Sequence, residues 1–373
     1  MNQHALERLG KLMTEQGLAA VLLSNPFNVT WLTSYAPPIQ TGPSPFEGGP
    51  ALLWLRGDRA VLLTSDMEAG SARACGIEVQ DYVAYTIEAP IAGSQNQAEA
   101  LRTLLGPDKA LTSKVGVEWG YLPAPFVEIL MDALPGASMV TLDGWIDPLR
   151  AVKSADEIKL IRSSLRLCDN AQREVRKLLH PGISEIELWG ALKAHLEGLA
   201  AGRLPVLADL VAGARTAEIG GLPGDYQLQD GDSVIADIVP RLAGYWGDNA
   251  STHFVGEPSE ALARIYRLVR ETLQLGVDAV HPGLRACDLD EMLRAAIREQ
   301  GYPVYPHHSG HGIGTSYHEE PRIVPYNTAT LEPGMVIALE PGIYLPETGG
   351  VRLEDVVLVT QDGCELLTFH LVK

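Results

Sequence analysis

The sequence has little of what marks a disulfide-rich, zinc-finger or membrane protein. Only four cysteines occur in 373 residues, and none has the close partner that a zinc finger or redox motif needs. No apolar run approaches the roughly 20 residues of a membrane helix, and the polar, helix-like start is unlike a signal peptide. We therefore expect a cytoplasmic protein without a membrane partner, with free and mostly buried thiols at Cys75, Cys168, Cys287 and Cys364.

Positive charge is also scarce. Lysine and arginine total 29 against 47 aspartates and glutamates, which gives a formal net charge of −18. Nucleic-acid binding needs clustered basic side chains, so this composition argues against a nucleic-acid partner. The hydrophobic fraction of 46% is that of an ordinary globular protein, and the length allows two domains.

Residues 1–150 alternate between helical patterns and short apolar runs. "ALERLGKLMTEQG" has helical spacing, whereas "LAAVLLS" and "RAVLLTS" are typical of buried strands. Proline and glycine are so frequent over 36–50 that we expect a loop there. Ser154 and Glu157 then have the spacing of a capping box that opens a long helix. We predict an α/β domain over 1–150 and a second domain over 151–373.

The second half contains an internal repeat. "LLHPGISEIELWGALKAHLEG" and "AVHPGLRACDLDEMLRAAIRE" both have the pattern helix, His-Pro-Gly, helix. An apolar strand with a carboxylate follows each copy: Asp237 lies 57 residues after His180, and Glu340 lies 59 residues after His281. A duplicated α+β unit around a pseudo-two-fold axis would bring these two strands together.

Each repeat also predicts a hairpin that carries two acids. A turn centred between Leu242 and Ala243 would place Asp237 opposite Asp248, with their Cβ atoms about 5 Å apart. The alternative, two solvated acids beside a turn, conflicts with the buried-strand character of "VIADIV". In the second repeat, a hairpin centred on Glu347 would oppose Glu340 and Glu354.

Four core carboxylates require compensating positive charge. Two divalent ions would supply it, and oxygen ligands with one imidazole suit Mn²⁺, Co²⁺ or Zn²⁺. The segment "HHSGHGIGTSYHEEP" offers the imidazoles. His311 lies between glycines, where the backbone can approach a metal, and His318 is the next candidate for proton or substrate chemistry. We assign His308 a structural role.

These residues resemble the pita-bread metallopeptidases, which include methionine aminopeptidases, Xaa-Pro aminopeptidases and prolidases. The resemblance is carried by "VIADIVPRLAGYWGD", "SGHGIGTSYHEEP", "LEPGIY" and "GGVRLEDVVLVT". The N-terminal half is similar to the creatinase/prolidase-type N-terminal domain, which favours the Xaa-Pro branch. The resemblance implies an α+β pita-bread catalytic domain preceded by an α/β domain. It also implies a dinuclear site with five ligands, namely Asp237, Asp248, His311, Glu340 and Glu354.

The resemblance further implies roles. Asp248 and Glu354 would bridge the two metals, and Glu340 would also carry the proton to the leaving nitrogen. His318 would stabilise the tetrahedral intermediate. His307 matches the position of a histidine in the substrate pocket. Tyr344 and Arg352 match positions that support the ligands, and Arg352 would hold a ligand carboxylate in place. A proline-containing di- or oligopeptide substrate and a homodimer are implied as well.

The sequence departs from the family at two places. Gly220 stands where the peptidases usually have a histidine that contacts the substrate, and Ser251 stands where an arginine is usual. The "GGLPG" stretch at Gly220 predicts a flexible loop.

Three functions therefore remain open. We favour an Xaa-Pro dipeptidase, which needs an arginine for the proline carboxylate; the candidates are Arg203, Arg215 and Arg322. The alternatives are an Xaa-Pro aminopeptidase and a catalytically weak or silent binding module. Creatinase-like chemistry is disfavoured because those relatives lose the metal ligands.

Overall fold

The chain divides into two compact units, Met1–Arg150 and Ala151–Lys373, in a computed structural model. The structure describes residues 1–39, 44 and 46–370. Part of the loop predicted over 36–50, residues 40–43 and 45, lies outside this description. No helix in the described ranges is long and apolar enough to cross a membrane.

The first unit is built on one six-stranded mixed sheet in the order β4-β3-β2-β1-β5-β6. Its strands are β1 Leu18–Leu23, β2 Leu52–Arg56, β3 Arg59–Ser65, β4 Glu78–Tyr82, β5 Lys114–Val117 and β6 Ser138–Thr141. Its helices are α1 Gln3–Gln16, α2 Pro26–Thr33, α3 Asp66–Ala74, α4 Gly93–Leu105 and α5 Ala124–Ala133, followed by the short α6, Asp147–Ala151, at the unit boundary.

Both faces of the sheet are buried at its central strand β1. Along β1, Ala20 and Leu22 belong to one apolar cluster, whereas Val21 and Leu23 belong to another. Alternate residues of a strand point to opposite faces, so a continuous apolar run such as "LAAVLL" indicates burial on both sides.

Over residues 151–370, the described part of the second unit, there are four long helices and three sheets. The helices are α7 Ala155–Leu178, α8 Glu185–Ala200, α9 Glu260–Ala279 and α10 Ala286–Glu299. One sheet has the order β10-β8-β7, with β9 paired to β8, and consists of β7 Val206–Ala212, β8 Ser233–Leu242, β9 Tyr245–Trp246 and β10 Ala250–Phe254. The second has the order β12-β11-β13-β16-β17, and the third is the pair β14-β15. Their strands are β11 Gly310–Gly312, β12 Glu319–Ile323, β13 Val336–Leu339, β14 Gly342–Leu345, β15 Gly349–Arg352, β16 Asp355–Val359 and β17 Cys364–Leu366.

The helical parts of the predicted repeat are confirmed. Helix α7 begins with the predicted capping box of Ser154 and Glu157. Gly182 lies in the turn between α7 and α8, and Gly283 lies at the equivalent place between α9 and α10. Their φ values are nearly equal, at 92° and 88°. Such left-handed backbone favours glycine, which explains the third letter of both His-Pro-Gly motifs.

The register predicted for the first hairpin is wrong, and that of the second is confirmed. Asp237 pairs with Ala250 and not with Asp248. The turn falls on Ala243 and Gly244, which both have positive φ, as a two-residue hairpin turn requires. In the second hairpin, β14 and β15 pair symmetrically about Glu347.

The prediction that the thiols are mostly buried is also wrong. Cys168 is buried, but the other three cysteines are partly exposed. Cys75 caps the C-terminus of α3, Cys287 lies in the first turn of α10, and Cys364 lies on the outermost strand β17. Helix ends and edge strands leave one side of a residue open to solvent.

Candidate metal centre

Two acids of the first repeat line one cavity of the second unit although they are not paired across the hairpin. Asp237 lies within β8, and Asp248 lies in the irregular stretch between β9 and β10. The amide of Ile238 donates to the carbonyl of Asn249 at 3.0 Å, which keeps this stretch beside β8. Both carboxylates therefore reach the same cavity.

Hydrogen bonds between β10 and β15 join the two repeats. The hydroxyl of Thr252 donates to the carbonyl of Arg352 at 2.9 Å and accepts from the amide of Arg352 at 3.0 Å. The amide of Glu354 donates to the carbonyl of Ala250 at 2.9 Å. These bonds bring the acids of the second repeat to those of the first.

The five residues predicted as ligands all line this cavity. The Nε2 atom of His311 lies 3.7 Å from Oδ2 of Asp248 and 3.5 Å from Oε1 of Glu340. Ligand atoms of Asp248, His311 and Glu354 all lie within 4.8 Å of one another. One metal ion can be reached by donor atoms at such separations.

The electrostatics of the cavity reflect crowded negative charge. Burial, together with the charges of Asp237 and Glu340, raises the pKa of Asp248 well above its usual range. Burial and the neighbouring Asp248 do the same to the pKa of Glu354. Burial opposes ionisation of Glu340 too, but a hydrogen bond from His308 and the charge of His311 outweigh it and lower the pKa of Glu340.

Two buried carboxylate oxygens fit a bound cation. Oδ1 of Asp237 and Oε1 of Glu354 accept no hydrogen bond from any part of the chain that the structure describes. An unsatisfied carboxylate oxygen costs free energy in a protein interior, and a divalent ion is a partner that would relieve this cost. The donor set of carboxylates and one imidazole suits such an ion.

Three imidazoles form a second cluster beside the acids. Ligand nitrogens of His308, His311 and His318 lie within 4.8 Å of one another, and the rings of His311 and His318 have centroids 4.2 Å apart. His308, to which sequence analysis assigns only a structural role, places Nε2 2.7 Å from Oε1 of Glu340. Burial lowers the pKa of His318 to about 3, with further contributions from the other two imidazoles, so His318 is neutral at pH 7.

The other predicted residues surround this centre. Nε2 of His307 lies 2.9 Å from the hydroxyl of Tyr344. Arg352 donates to Oδ2 of Asp237 at 2.7 Å and to the hydroxyl of Tyr344 at 3.4 Å. Arg352 therefore holds the carboxylate of a predicted ligand, and His307 is linked to it through Tyr344.

Comparison with known proteins agrees with this geometry. The profile of metallopeptidase family M24 matches residues 159–361, and that of the creatinase/prolidase N-terminal domain matches residues 6–152. The chain belongs to metallopeptidase family M24. Membership makes it a peptidase, implies use of a divalent metal and confirms the predicted fold class.

Relatives resemble this M24 chain over nearly its whole length. A Pyrococcus furiosus protein named Xaa-Pro dipeptidase is 32% identical over 365 residues, or 97% of each chain. A Bacillus subtilis protein named uncharacterized peptidase YqhT is 30% identical over 366 residues, again 97% of each. The prolidase structure from Pyrococcus horikoshii superposes with a TM-score of 0.84 at 27% identity and covers 98% of both chains.

Sequence analysis missed one acid of this M24 site. Asp209 lies on β7 directly opposite Asp237 on β8 and lines the same cavity of about 540 Å³. The signal was present, because "VLADLVA" places an aspartate inside an apolar run just as "VIADIV" does. The cavity wall also contains Trp189, Lys193 and Tyr317, for which the sequence contains no comparable signal.

The loop around Gly220 is anchored, in contrast to the flexible loop that its glycines predict. The amide of Gly221 donates to Oδ1 of Asp209 at 3.1 Å, and the amide of Leu210 donates to the carbonyl of Gly221 at 3.0 Å. The amide of Gly224 donates to Glu185 at 2.8 Å. The glycines here allow close approach to β7.

Proposed function

We propose that the chain hydrolyses the Xaa-Pro peptide bond with two divalent metal ions, as an Xaa-Pro dipeptidase. The observation that carries this proposal is the convergence of four carboxylates and one imidazole in one cavity. The relatives named Xaa-Pro dipeptidase support the substrate class. We further propose that residues 1–150 and 151–373 form the N-terminal and catalytic domains.

The proposed ligands divide between two ions. Asp248 and Glu354 would contact both, His311 and Glu340 would hold one, and Asp237 would hold the other. Mn²⁺, Co²⁺ and Zn²⁺ all accept such oxygen and nitrogen donors. When bound, such ions lower the pKa of a coordinated water and polarise a carbonyl oxygen.

The chain's own residues would then handle protons and substrate. Glu340 would carry the proton to the leaving nitrogen; its carboxylate lies 2.7 Å from Nε2 of His308 and 3.5 Å from Nε2 of His311, in the cavity that would hold the ions. His318 is neutral and would donate a hydrogen bond to the oxygen of the tetrahedral intermediate. His307 and Tyr344 form a hydrogen-bonded pair that would contact the bound peptide.

Of the three candidate arginines, Arg322 best suits the carboxylate of a C-terminal proline. Arg215 is already paired with Glu185 and donates to the carbonyl of Leu222. Arg322 lies on β12, and its charge adds to burial in lowering the pKa of both His311 and His318. Strand β12 begins directly after His318, so we propose that the guanidinium of Arg322 anchors the carboxylate of a dipeptide whose scissile bond lies at the metals.

The test compares kcat/KM for an Xaa-Pro dipeptide and an Xaa-Pro-Xaa tripeptide, in the wild type and in Arg322→Met. We expect the wild type to prefer the dipeptide and Arg322→Met to lose that preference, with the exposed Arg203→Met as control. A better tripeptide substrate would identify an aminopeptidase. No turnover of either peptide by metal-reconstituted protein would identify a binding module.

We also propose a cytoplasmic homodimer, which rests on the family resemblance. Light scattering that gives one-chain mass at micromolar concentration would refute the dimer.

A further inference from the structure

Asp209 adds an acid to the metal cavity beyond the five proposed ligands. It pairs with Asp237 across β7 and β8, and directly opposed residues of an antiparallel pair project to the same face of the sheet. The neighbouring pair on that face, Leu207 and Val239, also lines the cavity. Asp209 therefore lies on the cavity wall between the carboxylate of Asp237 and the apolar pair of Leu207 and Val239.

The carboxylate of Asp209 is held in place but keeps free acceptor capacity. Oδ1 accepts from the amide of Gly221 at 3.1 Å, and Oδ2 accepts from Nη2 of Arg352 at 3.3 Å. A carboxylate can accept about four hydrogen bonds. The side chain of Asp209 is 38% exposed, whereas that of Arg352 is 4% exposed, so Asp209 presents its remaining acceptor sites to the cavity.

Gly220 is what makes room for this carboxylate. A Cβ atom at position 220 would lie 2.5 Å from Oδ2 of Asp209, which is too close for any side chain unless Asp209 moves. Asp209 thus fills space that a side chain at position 220 would take. The cavity gains a negatively charged acceptor there, where the family resemblance led us to expect a histidine.

Arg352 does not neutralise this acceptor fully. It is shared with Asp237, to which it donates at the shorter distance of 2.7 Å. The contact between Arg352 and Asp209 is longer, at 3.3 Å, and the carboxylate of Asp209 is partly exposed, so it keeps an acceptor site open to the cavity. A cationic group of a bound molecule would satisfy it.

We propose that Asp209 determines specificity by binding a cationic group of the residue that precedes the scissile bond. This inference rests on the proposed peptidase function. The cation is an ammonium group that can come from two sources, the free α-amino group of the peptide or a basic side chain at Xaa.

The experiment compares wild type, Asp209→Asn and the control Asp225→Asn, which removes an exposed acid from the same loop. Each is assayed for kcat/KM with Lys-Pro, with norleucyl-Pro, which lacks only the side-chain charge, and with hexanoyl-Pro, which lacks the α-amino group as well. A charge-assisted hydrogen bond supports an expected loss of about tenfold or more in Asp209→Asn. Asp225→Asn should match the wild type.

The pattern of losses identifies the source. A loss confined to Lys-Pro assigns the basic side chain. A loss shared by Lys-Pro and norleucyl-Pro but absent for hexanoyl-Pro assigns the α-amino group. Equal change with all three peptides, or no change, overturns the inference.

Two further measurements keep the result decisive. If Asp209→Asn fails to fold, the kcat/KM values of the wild type for the three peptides are compared with one another. Equal values would contradict recognition of any ammonium group. If the wild type hydrolyses none of them, the proposed function fails, and calorimetric dissociation constants of the same peptides then test Asp209 by the same pattern.

Discussion

Replacement of Arg352 by methionine tests whether the charges of the cavity are balanced as described. Arg352 is 4% exposed and donates to Asp237 at 2.7 Å. Methionine keeps most of the length of the side chain but removes the positive charge. Asp237 then either keeps an unpaired buried charge or takes up a proton.

Both routes cost a similar free energy. Removing one partner of a buried ion pair costs about 3–5 kcal/mol. The ordinary pKa of an aspartate is roughly three units below pH 7, and each unit corresponds to about 1.4 kcal/mol. Keeping an aspartate protonated at pH 7 therefore costs about 4 kcal/mol. Asp209, at 38% exposure, adds little because water screens its charge. We expect Arg352→Met to lose about 3–5 kcal/mol of unfolding free energy.

The assay is urea unfolding at pH 7 in the presence of a chelator, so that bound ions do not contribute to stability. Arg162→Met is the matched control. Arg162 pairs with Glu365 at 2.6 Å, but the two side chains are 31% and 49% exposed, and such pairs contribute about 0–1 kcal/mol. A loss for Arg352→Met no larger than that of the control would refute the charge balance described for the cavity.

Three further predictions concern catalysis and pH. Glu340→Gln should lower kcat for an Xaa-Pro dipeptide by about 10²–10⁴-fold, and near-normal turnover would show that its role is misassigned. His318→Ala should lower turnover without lowering metal content, whereas His311→Ala should lower both; equal metal loss would make His318 a ligand. Burial lowers the pKa of His253, which contacts Gln172 at 2.8 Å, to about 3. In the unfolded chain His253 takes up a proton near pH 6.5, whereas in the folded chain it stays neutral. The free energy of unfolding therefore falls as the pH drops below that value. Between pH 7 and 5 the wild type should lose roughly 2 kcal/mol more than His253→Gln, and parallel pH profiles of unfolding free energy would contradict this.

The sequence predicts the acids of the second repeat better than those of the first. The hairpin around Glu347 has one register through both strand pairs, β14 with β15 and β13 with β16, so its symmetry can be inferred from the spacing of apolar residues. The first hairpin turns through Ala243 with a φ of 50°. Alanine rarely takes this conformation, so Gly244 marks the turn but the residue before it does not, and the centre of the turn can be misplaced by one residue.

Side-chain direction is the part of the site that the sequence does not predict. His307 and His308 are adjacent, with no strand pattern to separate them, yet one contacts Tyr344 and the other Glu340. Asp209 shares its apolar context with Asp237, but its place in the cavity depends on the pairing of β7 with β8, which are separated by a long connection.

The most direct test of the account is the metal content of the purified protein after reconstitution with Mn²⁺, Co²⁺ or Zn²⁺ and removal of free ions. Four carboxylates and one imidazole that converge on one cavity, with little exposure to solvent, predict two divalent ions per chain by elemental analysis. A stoichiometry of one would contradict the dinuclear site, and protein that retains no metal would contradict the metal centre itself.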